Sequence, residues 1–468
     1  MDAKKTEAKT STSMTASAGP VAAVREEPSR RRFLQLGGGV VGLGALSGLA
    51  TGCFSGGTSS SQGSSGKSAN AASYGRDAQL IVHTPDNLYF QQWILGFKMA
   101  CSALGLAPHV GYSNDDNGTE ISVLQTALAR GARYINTVGP SDTVIAQVAR
   151  ACNQQKAWLS TAFASPPWTM IETYGPYYRT YNQSPDYLLC YEMGKRVFNA
   201  VGGKGKVVHI LGIPGQGISY LRAAGYRQAA KEFPGIEIVA QNYGYFDRVH
   251  TQPIFAAMLE AHPDIKAVVN ASDDSNIGCI AVLQSRGIKD VLMTSIDAIP
   301  EYLNWMKKGQ YAYASGSILG TWMGAWLVVQ NYDAAHGVVL NPLERQITFG
   351  SIILQGKQAA TAYENLVLDP ASARRIYDPK LMSRHLHPTD WEPQNSLQVM
   401  DPSDKTGAWI PEALAGYGQK PANWKQPADW AKAAAGGGMD QVNKQLAQAA
   451  ARKDPLEPIR SLIGPTII

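Results

Sequence analysis

The residues with the most chemistry to offer recur just past short apolar runs. Asp86, Asn87, Tyr89 and Phe90 follow Leu80-Ile81-Val82-His83-Thr84. Phe163, with Trp168 beyond, follows the run ending at Thr161. Tyr220 and Arg222 lie in a helix start after Val207-Val208-His209-Ile210-Leu211. Phe246, Asp247 and Arg248 follow the run ending at Ala240. Ser272, Asp273 and Asp274 follow Ala267–Asn270, and Asp297 closes Met293-Thr294-Ser295-Ile296. Aromatic rings present flat apolar faces, while Asn, Asp and Arg exchange hydrogen bonds. Together they suit a small neutral hydroxylated ligand. Any one of these residues also serves as a loop or capping residue; the recurrence at run ends is the stronger signal.

Catalysis has no comparable signature. There is no GxSxG, no HExxH, and no Ser or Cys in a recognisable nucleophile context. His385, His387 and Asp390 lie in an irregular, Pro-flanked stretch with no second ligand pair, so they read as a surface loop rather than a metal site. No enzyme activity, cofactor or metal is expected. Gly212–Gly217 is a turn between strand and helix whose backbone N–H groups suit an oxygen-rich ligand, but its spacing is not that of a nucleotide-binding loop.

These residues need a scaffold, and the apolar pattern supplies one. From about residue 78, strand-like runs alternate with helix-spaced ones: 80–84, 90–104, 109–113, 121–131, 134–138, 144–152 and 158–161. The rhythm repeats over 206–211, 218–233, 236–240, 253–261, 267–270, 276–286 and 291–296. Such alternation gives parallel sheets with right-handed crossovers. The fold class expected is α/β: two doubly wound parallel-sheet lobes, with Tyr187–Val201 as a helix joining them. Ile318–Val329 is apolar for only 12 residues, which predicts a buried core helix rather than a membrane span. After Leu354 the alternation stops, and Trp391, Trp409, Trp424 and Trp430 stand in irregular context. Only Trp430–Arg452 reads as helical, so an irregular C-terminal extension packing back on the lobes is expected.

The chain has 468 residues, 17% of them charged, and a net charge of +5, which gives no case for a nucleic-acid partner. Residues 1–52 carry +3 of that charge, leaving +2 for the rest. Arg30-Arg31-Arg32-Phe33-Leu34 precedes a Gly/Ala-rich apolar run ending in Ala50-Thr51-Gly52-Cys53, a secretory pattern too short to span a bilayer. It resembles a twin-arginine signal closed by a lipobox, with Cys53 as the lipidated first residue of the mature chain. Residues 54–73 hold eight Ser and four Gly, a flexible-tether composition. Cys101, Cys152, Cys190 and Cys279 fall in apolar helical patterns and read as buried free thiols.

The segments TPDNLYFQQWILGFKMACSALG, LEAHPDIKAVVNASDDSNIGCIAVLQSRGI and VLMTSIDAIPEYLNWMKKGQYAYASGS resemble type I periplasmic binding proteins, the ribose-type sugar-binding branch in particular. The resemblance covers about residues 78–350 and implies two lobes joined by three hinge strands, with a sugar captured between them for an ABC importer. It places Asn87, Tyr89, Phe90, Phe246 and Asp297 at ligand positions. Asp273 matches a family Asp, and Ser272 and Ser317 stand where the pattern has Asn and Gln. Ala162-Phe163 replaces an Asp-Arg pair, and Tyr220 takes the place of an Arg, with Arg222 two residues on. Losing both charged handles favours a polyol, modified sugar or less polar ligand.

The expected layout follows from these readings: 1–52 signal, 53–77 lipidated Cys53 and linker, 78–183 N-terminal lobe and 184–314 C-terminal lobe. Residues 315–350 form a hinge return with a helix packing on the N-terminal lobe, and 351–468 the extension. The expected partners are a small sugar or polyol, an ABC permease and the membrane reached by the lipid anchor, with the protein a monomer at the periplasmic or cell-surface face. A sensor serving a membrane receptor or kinase is the alternative.

Overall fold

Alternating apolar runs and amphipathic segments fold as two successive windings. The first contains β1 (Asp77–Val82), α1 (Leu88–Leu104), β2 (Ala107–Tyr112), α2 (Asn117–Arg130), β3 (Tyr134–Thr137), α3 (Ile145–Gln154), β4 (Trp158–Ala162) and β5 (Tyr178–Gln183). Its strands pair in parallel in the order β2-β1-β3-β4-β5. The second contains α4 (Asp186–Ala200), β6 (Lys204–Leu211), α5 (Gly217–Lys231), β7 (Gly235–Tyr243), α6 (Arg248–Ala261) and β8 (Ala267–Asn270). It continues with α7 (Asp273–Ser285), β9 (Leu292–Ile296), α8 (Pro300–Lys307) and β10 (Ala312–Ser317). Its order is β7-β6-β8-β9-β10, again parallel. Both repeat the doubly wound order in which ligands bind at the carboxyl ends of the strands, where the order reverses. The computed structural model describes residues 74–141, 143–163, 168, 171–401, 410 and 422–467. The expected signal, Cys53 and most of the tether lie outside the described residues, as does Trp409.

The chain then returns to the first sheet. α9 (Gly320–Ala335) is buried along nearly its whole length and lies against α1. Their approach depends on two glycines: a Cβ on Gly96 would sit 1.8 Å from the Thr321 carbonyl oxygen, and one on Gly324 would sit 2.0 Å from that of Trp93. β11 (Gln346–Phe349) joins the first sheet beside β5, and β12 (Ile352–Gln355) joins the second, antiparallel to β10. The backbone thus passes between the sheets three times, at 183–186, 317–320 and 349–352.

Two expectations are corrected. Tyr187–Val201 is not a joining helix. Its apolar positions Leu189, Cys190, Met193, Val197 and Phe198 are all buried, and α4 lies within the second winding against α5, β9 and β10. The joints are short extended segments instead. Regular structure also continues past Leu354, with α10 (Gly356–Tyr363), α11 (Pro370–Ile376), β13 (Leu397–Val399), α12 (Ala428–Ala434) and α13 (Gly438–Ala450). β13 caps the first sheet antiparallel to β11. α10 buries a small-residue face, Ala359 and Ala360 beside Tyr363, which gives a weak apolar period in the sequence. Cys101, Cys152, Cys190 and Cys279 are buried and free. Among the described residues no cluster could hold a metal ion, and no helix is long and apolar enough to cross a membrane.

Candidate ligand-binding cleft

The two sheets direct the carboxyl ends of their strands at one cavity of about 660 Å³, within the usual size of a small-molecule site. From the first winding, the β1–α1 turn and the start of α1 contribute Asn87, Tyr89 and Phe90, while Val138-Gly139 follow β3 and Phe163 follows β4. Asn87 is also the cap of α1: its Oδ1 accepts from the N–H groups of Tyr89 (3.0 Å) and Phe90 (3.3 Å). That fixes the turn and points the two rings. Among the described residues, the buried Tyr89 hydroxyl has no hydrogen-bond partner. Phe90 stacks on His83 with centroids 4.8 Å apart. Phe163 meets Trp93 edge-on at 5.7 Å and Phe349 at 6.2 Å.

From the second winding come Gln216 and Arg222 of the β6–α5 region, Phe246 after β7, Asp274 at the start of α7 and Asp297 after β9. Arg222 is 3% exposed. Its Nε donates to Asp186 Oδ1 at 2.8 Å, its Nη1 to the Ala271 carbonyl at 2.5 Å, and its guanidinium lies 5.5 Å over the Phe246 ring. Burial works against its charge, but the Asp186 and Asp297 carboxylates outweigh that and hold the guanidinium firmly protonated. The backbone N–H of Asp273 lies against the Asp297 carboxyl. Burial pushes that carboxyl well above the ordinary range, and Arg222 pulls it back only in part. A buried carboxyl facing a cavity beside a cation can exchange hydrogen bonds with a ligand hydroxyl.

Backbone strain gathers at the same place. Phe163 (φ 67°), Tyr245 (φ 58°), Phe246 (φ 57°) and Asp297 (φ 130°) are non-glycine residues with positive φ, and all line the cavity. Such positions cost on the order of 1–3 kcal/mol each and persist where surrounding structure holds them.

Of the residues expected at the site, Asn87, Tyr89, Phe90, Phe163, Arg222, Phe246 and Asp297 line the cavity together, whereas Tyr220, Ser272, Asp273 and Ser317 do not. Residues 218 and 222 are one turn apart on α5 and share a face; 220 points elsewhere, and its hydroxyl accepts from Gly215 N–H at 2.9 Å. That N–H is therefore spoken for by the protein. In this lobe the cavity wall carries the Arg222 guanidinium and not the Tyr220 ring. Ser272 caps α7. Asp273 is fully buried, accepting from Ser295 Oγ at 2.5 Å, from Ser315 Oγ at 2.8 Å and from Ile299 N–H at 3.1 Å. It anchors the loop carrying Asp297 from behind. Ser317 Oγ pairs with Tyr363 Oη at 2.6 Å.

Several cavity residues were not foreseen. Gln216 donates from Nε2 to the Pro140 carbonyl at 2.6 Å, and Gln92, outside the cavity lining, from Nε2 to the Asp297 carbonyl at 3.2 Å. Each bond joins one winding to the other. Ile213, Ile218 and Ile318 add apolar lining. The glycine-rich turn hinted at the first two; Ile318 lay in a run that read simply as core.

Two doubly wound units with one cavity between their strand ends define a protein that takes its ligand between lobes. The periplasmic binding protein domain family matches residues 78–336, more than half of the chain, and the chain belongs to that family. It is a solute-binding protein and not an enzyme. It is similar to the D-apiose import binding protein of Actinobacillus succinogenes, 24% identical over 317 residues, 65% of this chain and 92% of that one. The ribose import binding protein RbsB of Escherichia coli is 25% identical over 234 residues, 50% of this chain and 76% of that one. Among solved structures, a twin-arginine translocation pathway signal protein from Burkholderia phytofirmans aligns with a TM-score of 0.61 at 20% identity, covering 64% of this chain and 95% of that one. A solute-binding protein from Actinobacillus succinogenes with bound D-allose gives 0.56 at 18%, covering 61% and 99%. These likenesses establish the fold.

Proposed function

We propose that this protein is a lipid-tethered extracytoplasmic receptor that captures a small neutral sugar, polyol or sugar derivative between its lobes and delivers it to an ABC importer. The observation that carries the reading is Asp297, a buried carboxyl set beside Arg222 and Phe246 in the cleft. A carboxyl and a guanidinium read hydroxyls, and a ring face covers the C–H side of a polyol. The sugar-import names of the relatives support the same class. In this reading Cys53 carries the lipid, residues 54–77 are the leash, and a monomer closes on its ligand before meeting the permease. A thermal-shift screen of pentoses, hexoses and polyols, followed by calorimetry, tests it. Asp297→Ala should weaken the best ligand at least tenfold, and unchanged affinity would remove Asp297 from the site.

A further inference from the structure

The two walls of the cleft differ in chemistry. On the side of the second winding, the deep lining is polar: Gln216, Arg222 and Asp297, each less than a tenth exposed. On the opposite side the deep lining is Tyr89, Phe90, Val138 and Phe163, with Ile318 at the joint. The other polar side chains of that wall, His83, Thr84, Asp86 and Asp115, are half-buried or exposed, and His83 and Asp115 bond to each other, so few polar groups face a ligand in its deep part. One is the Tyr89 hydroxyl. Another is the Asn87 amide, whose oxygen is already committed to two backbone N–H groups. Phe163 cannot turn aside to admit a polar partner, because Trp93 and Phe349 pack against it. A ring with hydroxyls on every edge would leave some of them buried against carbon without partners, which weakens binding. An apolar substituent on that edge would instead leave water for a matching surface.

Resting on the sugar-site reading above, we infer that the ligand is amphipathic. It is a hydroxylated ring or chain read by Arg222 and Asp297, carrying an alkyl or aryl group that lies against Phe90, Phe163 and Ile318. The class is that of alkyl or aryl glycosides and ethers of small sugars and polyols, rather than the free sugars.

Calorimetry on the full chain tests this with matched pairs: D-ribose, D-xylose, D-galactose and D-glucose, each against its methyl and phenyl glycosides in both anomers. At least one glycoside should bind tenfold or more tighter than its parent. Phe163→Ser should cost the glycoside more affinity than it costs the parent, shrinking that advantage below threefold. Parents that bind as tightly as all their glycosides overturn the inference and leave the sugar site standing. An equal loss for parent and glycoside in Phe163→Ser also overturns it. Binding of neither member in any pair overturns the sugar-site reading and this inference with it.

Discussion

Asp186 and Arg222 form a fully buried ion pair, Oδ1 to Nε at 2.8 Å, which ties the first passage between the sheets to the ligand cleft. Asp186 stands where the chain enters the second winding, and its Oδ2 accepts from Gln183 Nε2 at 2.8 Å and from Ser184 Oγ. Arg222 spends Nε and Nη1 on Asp186 and the Ala271 carbonyl, so its orientation toward the cavity is fixed before a ligand arrives.

Breaking such a pair costs more than the pair contributes, because one charge stays buried alone. Arg222→Met would leave Asp186 and Asp297 without their cation. The expected loss is about 3–5 kcal/mol of unfolding free energy at neutral pH, read from urea denaturation. Adding Asp186→Asn should recover part of it, since the stranded charge is then gone. A loss under about 1 kcal/mol in the single variant would mean that the pair is solvated.

Phe246 contributes a ring face beneath Arg222 at the second-winding wall. Phe246→Ala removes both the apolar plate and the contact that steadies the guanidinium. A tenfold or greater loss of ligand affinity is expected, with Tm changing little because the residue is half-buried and outside the packed interior. Equal affinity in calorimetry would exclude it from ligand contact.

The sheets were legible in the sequence because Leu80–Val82 and Val207–Leu211 are apolar runs of strand length flanked by helix-spaced ones. β5 was not. Tyr178-Arg179-Thr180-Tyr181-Asn182-Gln183 reads as polar, yet every residue is buried, since β4 and β11 flank it and its side chains bond inward. Hydrogen bonding of that kind leaves no apolar signature. In the cleft, the strand-end residues Asn87, Phe163, Phe246 and Asp297 were legible from their position alone. Asp273 and Ser317 were misplaced for the opposite reason: burial behind the loop and pairing with Tyr363 depend on tertiary neighbours.

Two buried groups give stability opposite slopes with pH. Burial raises the Glu120 carboxyl to about 7, against a Thr137 hydrogen bond that pulls it down. The native state then holds a proton the unfolded chain gives up near 4.5, so this contribution is present below that pH and is lost as pH rises through about 7. His209, lowered to about 3 by burial and the Arg227 charge, acts the other way. Its contribution is present above about 6.5 and is lost as pH falls toward 3. Each is worth on the order of a few kcal/mol, so between about pH 4.5 and 6.5 they oppose one another. Asp273 and Asp297, also raised by burial, act in the same direction as Glu120. Glu120→Gln should therefore move the slope of stability between pH 4.5 and 6.5 toward positive values relative to the parent in denaturant titrations. A variant with the parent's slope over that range would refute the assignment.

Gln216 Nε2 donating to the Pro140 carbonyl at 2.6 Å holds the windings together across the cleft. Gln216→Ala removes this bond across the cleft. The closed form should lose population, giving a larger radius of gyration by X-ray scattering without ligand and a severalfold weaker apparent affinity. Identical scattering profiles for parent and variant would show that closure rests on other contacts.

The C-terminal tail braces the third passage between the sheets. Ser351 N–H donates to the Ile467 carbonyl at 2.9 Å, and Ile467 N–H donates back to Ser351 at 2.7 Å. Next to it, Gly350 N–H donates to the Ser396 carbonyl at 2.9 Å, and Asn395 Nδ2 to the Gly350 carbonyl at 3.1 Å. The fit is tight: a Cβ on Gly350 would stand 2.3 Å from Thr466 Cγ2 and 2.7 Å from Asn395 Oδ1. The second passage is held by the same extension, through Tyr363 and Ser317. A hinge moves only as far as its crossing segments rotate, and backbone bonds to a fixed tail resist that rotation. Deleting residues 465–468 should therefore raise amide hydrogen exchange at Gly350 and Ser351 at least tenfold and speed ligand release. Gly350→Ala, which pushes Thr466 away without shortening the chain, should do the same to a smaller degree. Unchanged exchange at these two amides in the truncated protein would show that the tail rests on the joint without restraining it.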